Sequence, residues 1–394
     1  MPTPKTHSYA GVAITAPISF GYSRFSEHGA AWFIGRTLAA MLNSASIAKQ
    51  DVDGLAVSSF SLAPDSAITL TEHFGLTLRW LEQLPFGGAS GVMALRRAAR
   101  AIQCGDAEII ACIGGDTSKP DSFAELVSNF SNFSKDAAYP YGAAGPNGAF
   151  SLITQHYMDK YGVTREDFGR LCIAQRHNAQ HYQHALLRDK SLSMENYINA
   201  RPIAGPVHLF DCVMPCAGGE GFFVMSTERA KKLALPYVIV RAADELHNAY
   251  ADDPVQFRGG WSQYRDTLYA AANLSPAAID LVQTYDDYPV ISMLQLEDLG
   301  FCAKGEGAAF VRDTKLTFDG GELPHNTSGG QLSCGQAGAA AGYMGVVESI
   351  RQLTDRALGN QIPSANTGLV SGYGMVNYDR GLCSAAAILA RPDP

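Results

Sequence analysis

The sequence predicts an α/β protein with a largely parallel sheet, made of two similar halves. Apolar, β-branched segments alternate with segments whose apolar residues repeat at helical spacing, as expected for strands that alternate with helices. One pattern also occurs twice. A Gly-rich turn opens an apolar helix that precedes a buried strand, at Gly87–Ala101 with Ile109–Gly114 and again at Gly335–Leu353 with Thr367–Gly374. Such a repeat predicts two similar α/β units packed together.

The first half shows this alternation most clearly. A short apolar strand at Ala10–Thr15 precedes a helix at Ala30–Asn43, and a β-branched strand follows at Gly54–Phe60. The helix Gly91–Gln103 carries its apolar residues on one face. Ile109–Gly114 is apolar throughout, which is typical of a strand that is buried on both faces.

The next stretch, residues 116–234, interrupts the alternation. It is rich in aromatic residues, Asn and Gly, and it contains two predicted helices, Phe150–Tyr161 and Arg165–His184. We interpret it as an insertion that covers a cleft, because long segments between strands commonly carry substrate contacts. The chain then divides into an N-terminal half, residues 1–235, and a C-terminal half, residues 236–394.

The second half resumes the α/β pattern. Strands are predicted at Tyr237–Ala242 and Leu281–Tyr285, and a late strand at Ser384–Ala390. Helices are predicted at Gly260–Asn273 and, after a Gly/Ala-rich stretch, at Tyr343–Thr354. The order of these elements parallels that of the first half.

Composition excludes several classes of protein. The 394 residues are 46% apolar and 17% charged, with a net charge of −8 and no basic run, so nucleic-acid binding by a charged surface is not expected. No apolar stretch is long enough for a membrane span, and Met1–Tyr9 lacks the apolar core of a signal peptide, so we expect a cytoplasmic protein. Of eight cysteines only Cys212 and Cys216 are close in sequence, so no metal site is predicted.

Four motifs in order point to a family. They are Phe86-Gly-Gly-Ala-Ser-Gly91, Gln283-Thr-Tyr-Asp-Asp-Tyr288, the Gly-rich segment Asn326–Gly338 and Gly368-Leu-Val-Ser-Gly-Tyr-Gly374. Their order and spacing resemble the thiolase superfamily, and most closely the sterol-carrier-protein-X-type thiolases. The resemblance implies the thiolase fold: two similar βαβαβαββ halves in an α/β/α/β/α layered arrangement, with a cap insertion.

The sequence departs from that family at each catalytic position. The nucleophilic Cys is replaced by Gly88, the His of the Gly-His-Pro motif by Gln336, the turn Asn or His by Tyr285, and the late Cys or His by Ser371. Glycine has no side chain with which to form an acyl-enzyme. Two-step acyl transfer is therefore not expected.

One group in the superfamily lacks both Cys and His, namely the aldolases that shorten steroid side chains, and the sequence resembles that group. The resemblance implies a carbon–carbon lyase that cleaves a β-hydroxyacyl-CoA into a ketone or aldehyde and a shorter acyl-CoA, without a cofactor. It also implies a homodimer, which we expect to form through an edge strand containing Ile109–Gly114. The implied partner is a small zinc-containing OB-fold protein, giving an α2β2 complex.

Retro-aldol cleavage needs a base, an acid and donors for the enolate oxygen. Candidate catalytic residues are Tyr343, in the first turn of its helix, Tyr285 and Gln336 at the family's catalytic positions, Tyr250 in a polar loop, and Asp286. Tyr343 has the alternative of a core tyrosine with a bonded hydroxyl. Asp286 and Asp287 are paired carboxylates on a turn that is either solvated or catalytic, and in the catalytic case Asp286 could polarise a tyrosine or a bound water.

The thioester pocket is predicted at the Gly-rich turns, where backbone amides can approach the substrate closely. Its candidate residues are Gly88, Ser90, Gly330, Ser371 and Gly372. Two other functions remain open: an acyltransferase or acetyltransferase that uses Cys334 or a non-covalent route, and a non-catalytic thiolase-like scaffold.

Overall fold

A mixed sheet connects the two halves. The computed structural model describes residues 8–122, 124–125, 131–143 and 145–392. In that part of the chain a nine-stranded sheet has the order β3-β2-β4-β7-β1-β8-β11-β10-β9, and β5 and β6 form a separate pair. The strands are β1 (Val12–Ser23), β2 (Gly54–Ser58), β3 (Trp80–Gln83), β4 (Ile109–Asp116), β5 (Pro202–Ala204), β6 (Val207–His208), β7 (Ala217–Ser226), β8 (Tyr237–His247), β9 (Leu281–Gln283), β10 (Thr367–Asn377) and β11 (Arg380–Ala390).

The strand order is nearly symmetric about the junction of β1 and β8. Those strands pair antiparallel at Ala13–Ile239, Ile14–Val238 and Thr15–Tyr237. On the N-terminal side β7, β4, β2 and β3 follow outward, and on the C-terminal side β11, β10 and β9 follow. Beyond β9, a single parallel bridge between Val282 and His325 occupies the position that the edge strand β3 has in the other half. The predicted pair of similar α/β halves is therefore present.

The helices occupy most of the predicted positions. They are α1 (Ala30–Ala45), α2 (Ala67–Phe74), α3 (Ser90–Cys104), α4 (Asn132–Ala137), α5 (Gly145–Tyr161), α6 (Arg165–His181), α7 (Met194–Ile198), α8 (Thr227–Lys232), α9 (Trp261–Ala272), α10 (Pro289–Asp298), α11 (Gly307–Asp313), α12 (Gly330–Cys334) and α13 (Ala341–Leu353). Amphipathic periodicity located α1, α3, α9 and α13 correctly because one face of each helix packs on the sheet.

Helices α3 and α13, one from each half, cross at two glycines. A Cβ built on Gly91 would lie 2.7 Å from Tyr343 Cα and would overlap the carbonyl oxygen of Gly342. A Cβ on Gly342 would lie 3.1 Å from Gly88 Cα. Glycine at both positions lets the two helix starts approach to backbone contact. This approach brings the Gly-rich turns of the two halves together.

Three sequence-based expectations about the sheet are wrong. The described sheet is mixed and not largely parallel, because only the pairings β3–β2, β2–β4 and β10–β9 are parallel and the other five are antiparallel. The insertion does not extend to residue 234, because the chain re-enters the sheet at β7, which pairs with both β1 and β4. Strand β4, which contains Ile109–Gly114, is not an edge strand, because it lies between β2 and β7. Its uniform apolarity reflects burial at the centre of the sheet, and the edge strand of this half is β3.

The inserted residues between β4 and β7 pack on the C-terminal half. Phe150 of α5 stacks on Tyr288 with ring centroids 4.0 Å apart, and Asn178 of α6 donates to the carbonyl oxygen of His325 at 2.9 Å. The described ranges contain no helix long and apolar enough to cross a membrane. In the same ranges no group of three His, Cys, Asp or Glu side chains could hold a metal ion.

The helix crossing predicts a stability change for Gly91→Ala. Alanine normally favours a helix over glycine by about 1 kcal/mol. At this crossing the new methyl group would force α3 and α13 apart, and we expect the free energy of unfolding to fall by roughly 1–3 kcal/mol. Chemical denaturation measures it. Gly29→Ala is the control, since a Cβ there meets nothing within 4 Å; equal effects of both substitutions would contradict the proposed close crossing.

Candidate active site

The ring of Tyr285 lies over Gly88, at the start of α3. A Cβ built on Gly88 would overlap ring carbons of Tyr285. Gly88 belongs to the buried turn that precedes α3, and Tyr285 belongs to the turn between β9 and α10. Because the ring fills the volume that a side chain at residue 88 would need, glycine is required there. The same ring occupies the space of the thiol that the resemblance led us to look for.

Two further side chains lie beside the Tyr285 hydroxyl, those of Asp287 and Gln336, and we call the three residues the Tyr–Asp–Gln cluster. The amide nitrogen of Gln336 donates to the Tyr285 hydroxyl at 3.3 Å and also to Asp287 Oδ1. Tyr285 is 6% exposed, whereas Asp287 and Gln336 are half-buried. The cluster therefore has a buried phenol beside a carboxylate and an amide that are partly exposed.

The electrostatics of the cluster favour a neutral phenol beside a carboxyl group that titrates near neutrality. Burial raises the pKa of Tyr285 well above its usual value, and the charge of Asp287 raises it further. Burial also raises the pKa of Asp287 to about 7, with the charge of Asp286 acting in the same direction and hydrogen bonds from Tyr285 and Gln336 opposing it. A carboxylate with a pKa near 7 is suited to accept a proton at physiological pH.

Asp286 points away from this cluster. Its carboxylate accepts from the backbone nitrogens of Gln331 at 2.9 Å and Leu332 at 3.2 Å, at the start of α12. Gly330 has a φ of +59°, and a Cβ there would overlap Asp286 Oδ2. Burial raises the pKa of Asp286 to about 7, although the backbone donors lower it. Asp286 and Gly330 thus lie together at a helix start, where they cap it.

Gln336 is held by the end of the insertion. Its backbone nitrogen donates to the carbonyl oxygen of Met214, and the nitrogen of Cys216 donates to the carbonyl oxygen of Gln336, both at 2.9 Å. These two bonds pair the segment before β7 with the segment before α13. The position of the Gln336 amide is therefore set from both halves of the chain.

Tyr288 anchors the other end of the turn to the insertion. Its hydroxyl donates to Asn147 Oδ1 of α5, and its ring stacks on Phe150. Helix α10 begins directly afterwards at Pro289, where the fixed φ of proline suits a first helical position. The hydrogen bond and the ring stacking of Tyr288 therefore fix the end of the turn at which α10 begins.

The two predicted pocket serines use their hydroxyl groups within the protein. Ser90 Oγ donates to the carbonyl oxygen of Leu84 at 3.2 Å, and Ser371 Oγ donates to Gln295 Oε1 at 2.6 Å. A Cβ on Gly372 would lie 2.7 Å from Ala89 Cα. Gly372 therefore lets β10 pass directly under the turn that carries Gly88.

Tyr343 and Tyr250 lie outside the cluster. Tyr343 is fully buried, its hydroxyl lies 2.9 Å from Ser58 Oγ, and burial raises its pKa. Tyr250 lies in the loop after β8, with its hydroxyl 2.9 Å from Ser262 Oγ and the guanidinium carbon of Arg258 3.8 Å above its ring. The surroundings of Tyr343 favour the core alternative, and the catalytic role of either residue stays a prediction.

Cys334, the thiol considered for acyl transfer, is also fully buried. It packs in a small cluster with Tyr182 and Met344, and burial raises the pKa of its thiol well above the usual value. A protonated thiol without access is a poor nucleophile.

Comparison with solved structures decides the fold. The Ltp2–ChsH2(DUF35) aldolase superposes with a TM-score of 0.82 at 26% identity, covering 98% of this chain and 99% of that one. Human mitochondrial 3-ketoacyl-CoA thiolase superposes at 0.71 with 12% identity, covering 98% and 100%. This chain has the thiolase fold. Residues 243–389 of the thiolase-fold chain also match the family described as thiolase C-terminal domain-like.

Curated relatives show the same resemblance. A steroid side-chain-cleaving aldolase from Thermomonospora curvata is 29% identical over 362 residues, which are 86% of this chain and 91% of that protein. The 17-hydroxy-3-oxo-4-pregnene-20-carboxyl-CoA lyase of Mycobacterium tuberculosis has the same identity and coverage. The predicted resemblance of this thiolase-fold chain to the steroid side-chain-cleaving aldolases is confirmed.

The sequence paired Asp287 with Asp286 on one turn, but Asp287 was not chosen as a catalytic residue, although a signal for it existed. Side chains alternate in direction along an extended segment, so residues 285 and 287 share one side and residue 286 takes the other. The structure shows this division, with Tyr285 and Asp287 in the cluster and Asp286 on α12. Gln295 and Asn147, which hold the turn, carried no comparable signal.

The overlap at Gly88 predicts a coupled pair of substitutions. Gly88→Ala must displace the Tyr285 ring, and we expect the free energy of unfolding to fall by roughly 1–3 kcal/mol. In the Tyr285→Ala background the ring is gone, so adding Gly88→Ala should cost almost nothing. A double-mutant cycle by chemical denaturation measures the coupling, and additive effects of the two substitutions would rule out the overlap.

Proposed function

We propose that this chain is a carbon–carbon lyase that performs retro-aldol cleavage of a β-hydroxyacyl-CoA with a bulky, steroid-like side chain. The observation that carries the proposal is the position of the Tyr285 ring over Gly88. The ring fills the volume that a nucleophilic side chain at residue 88 would need, and the site offers the phenol of Tyr285 and the carboxylate of Asp287 instead. The names of the similar aldolase and lyase support the same reaction. Retro-aldol cleavage needs no covalent enzyme intermediate, so the glycine is compatible with it.

The reaction would proceed by proton transfer through the cluster. Asp287 accepts the proton of the β-hydroxyl group, the oxygen forms a carbonyl group, and the Cα–Cβ bond breaks. The electrons of that bond pass into the thioester as an enolate. Tyr285, neutral because its pKa is raised, gives its proton to Cα and regains one from Asp287. Atoms and protons balance without a cofactor, and the products are a ketone or aldehyde and a shorter acyl-CoA.

Gln336 would keep the two proton-transfer groups together. Its amide nitrogen contacts both the Tyr285 hydroxyl and Asp287. An amide does not titrate, so it can hold the carboxylate in place without competing for the proton. Glutamine where the family has histidine is consistent with a site in which no thiolate has to be generated.

A partner protein would complete the opening of the site. The similar solved structure is a complex with a DUF35 protein by its name, and Asp287 and Gln336 are only half-buried in this chain. We propose a homodimer joined by a small zinc-containing OB-fold partner in an α2β2 complex, acting in the cytoplasm. A partner over the opening would exclude water and strengthen the electrostatic interactions inside.

Product analysis tests the function directly. The chain, alone and together with a DUF35-family OB-fold protein, is incubated with 17-hydroxy-3-oxo-4-pregnene-20-carboxyl-CoA, and the products are separated by mass. We expect a ketone and a shorter acyl-CoA, formed faster with the partner. A covalent acyl-enzyme, or no cleavage under either condition, would instead favour an acyltransferase or a scaffold.

Removal of either proton-transfer group should abolish most of the activity. Tyr285→Phe keeps the ring over Gly88, and Asp287→Asn keeps a contact with Gln336, so both variants should fold. Each loses a positioned acid or base, which is worth on the order of 100-fold in kcat.

The wild-type kcat should fall as the pH drops through about 7, because Asp287 must be ionised to act, and Asp287→Asn should lose this dependence.

Asp286→Asn is the matched control for that pH profile, since Asp286 also has a pKa of about 7. The variant should keep the inflection and move it to lower pH, because the charge of Asp286 raises the pKa of Asp287. If the inflection disappears in Asp286→Asn but survives in Asp287→Asn, the base is Asp286 and the assignment to Asp287 is wrong.

The substitution Tyr343→Phe distinguishes a structural role of Tyr343 in the core from a catalytic role. It removes the hydroxyl that meets Ser58 and leaves a buried polar group without its partner, so we expect a loss of roughly 1–3 kcal/mol of stability. The kcat of the folded variant should stay within a few-fold of wild type. Melting temperature and kcat are measured on one preparation, and a large loss of kcat at unchanged stability would return Tyr343 to the active site.

A further inference from the structure

We infer that Gln295 is the positioning residue of this site: its side-chain amide holds the backbone of Tyr285 and thereby the phenol. Gln295 lies on α10 and is fully buried. Its Oε1 accepts from the backbone nitrogen of Tyr285 at 3.1 Å, and its Nε2 donates to the carbonyl oxygen of Tyr285 at 2.7 Å. The inference rests on the proposed function only for its effect on catalysis.

The two hydrogen bonds from the Gln295 amide replace those that a neighbouring strand would make with the backbone of Tyr285. Strand β9 ends at Gln283, so the backbone of Tyr285 lies beyond its last residue. A backbone nitrogen and oxygen buried at that point need partners. The Gln295 amide supplies a donor and an acceptor in the arrangement that a neighbouring strand would present. One side chain therefore satisfies both backbone polar groups of the residue that carries the phenol.

The amide itself is fixed in one orientation. Oε1 also accepts from Ser371 Oγ at 2.6 Å, and Nε2 also donates to the carbonyl oxygen of Ile291 at 2.8 Å. Two donors and two acceptor sites are the whole capacity of a glutamine amide, and all are used. By contrast, the equally buried Gln175 has neither side-chain polar atom bonded. A saturated amide between α10 and β10 is a rigid support.

This assigns a role to Ser371 as well. The Ser371 hydroxyl completes the hydrogen bonding of the Gln295 amide, so β10 supports Tyr285 through Gln295. The ring has little freedom over Gly88, because a Cβ there would already overlap it. A small backbone shift at residue 285 would therefore move the hydroxyl relative to Asp287, and misplacement of reacting groups on the scale of 1 Å costs about 100-fold in rate.

Gln295→Met tests the inference, with Gln352→Met as its matched control. Methionine keeps the length of the side chain and removes every bond to Tyr285. Gln352 is likewise fully buried and bonded through its amide, to Glu348 and the carbonyl oxygen of Asn360 at 2.9 Å each, but it lies on α13 outside the cluster. We expect Gln295→Met to lower kcat for the β-hydroxyacyl-CoA roughly 10-fold or more with little change in KM, and Gln352→Met to lower stability alone.

A second readout does not depend on turnover. In 3-fluorotyrosine-labelled protein, the fluorine resonance that is missing from Tyr285→Phe reports the Tyr285 ring. It should shift or broaden in Gln295→Met and stay in place in Gln352→Met. If wild type cleaves no β-hydroxyacyl-CoA but the resonance moves, the proposed function fails and the positioning role stands.

Gln295→Glu covers the case in which Gln295→Met does not fold. Ionised glutamate keeps the acceptor for the Tyr285 nitrogen and loses the donor to its carbonyl oxygen, so the resonance should still move. A folded variant of either kind with the wild-type resonance and an unchanged kcat would overturn the inference. So would equal changes of the resonance in the Gln295 and Gln352 variants.

Discussion

The site depends on one steric constraint, the absence of a Cβ at Gly88 beneath the ring of Tyr285. A phenol and a thiol cannot both occupy that volume, so the geometry of the turn decides which chemistry the fold can support. The constraint reaches further through Gly372, which brings β10 under the same turn, and through the crossing at Gly91. The start of α3 is thus closely packed from three directions, and the ring has one place in which to lie.

The turn between β9 and α10 converts this packing into a functional arrangement. Its successive side chains go to different partners: Tyr285 over α3, Asp286 onto α12, Asp287 toward Gln336 and Tyr288 onto the insertion. Two neighbouring carboxylates thus serve separately, Asp286 as a helix cap and Asp287 as a member of the cluster. Both halves and the insertion therefore meet at four consecutive residues, and within the turn the charge of Asp286 raises the pKa of Asp287.

The sequence predicted most of the architecture and part of the site, for physical reasons. Periodic apolar faces revealed α1, α3, α9 and α13, but β7 was assigned to the insertion because it begins Ala-Gly-Gly-Glu. Its buried Glu220 is bonded to Ser19 and Tyr22, partners some 200 residues away that no local pattern shows. Tyr285 was found because it departs from a motif. Helix placement suggested Tyr343, but placement on a helix does not say where a hydroxyl points.

The mutual exclusion at Gly88 and Tyr285 bears on how such a site can arise or be lost. A side chain added at residue 88 alone collides with the ring, and removal of the ring alone leaves neither a phenol nor a nucleophile. Each single step is therefore unfavourable when it is taken alone. The pair is therefore epistatic: in descent from a thiol-bearing ancestor, the loss of the side chain at 88 has to precede or accompany the arrival of the tyrosine, and reversion follows the opposite order.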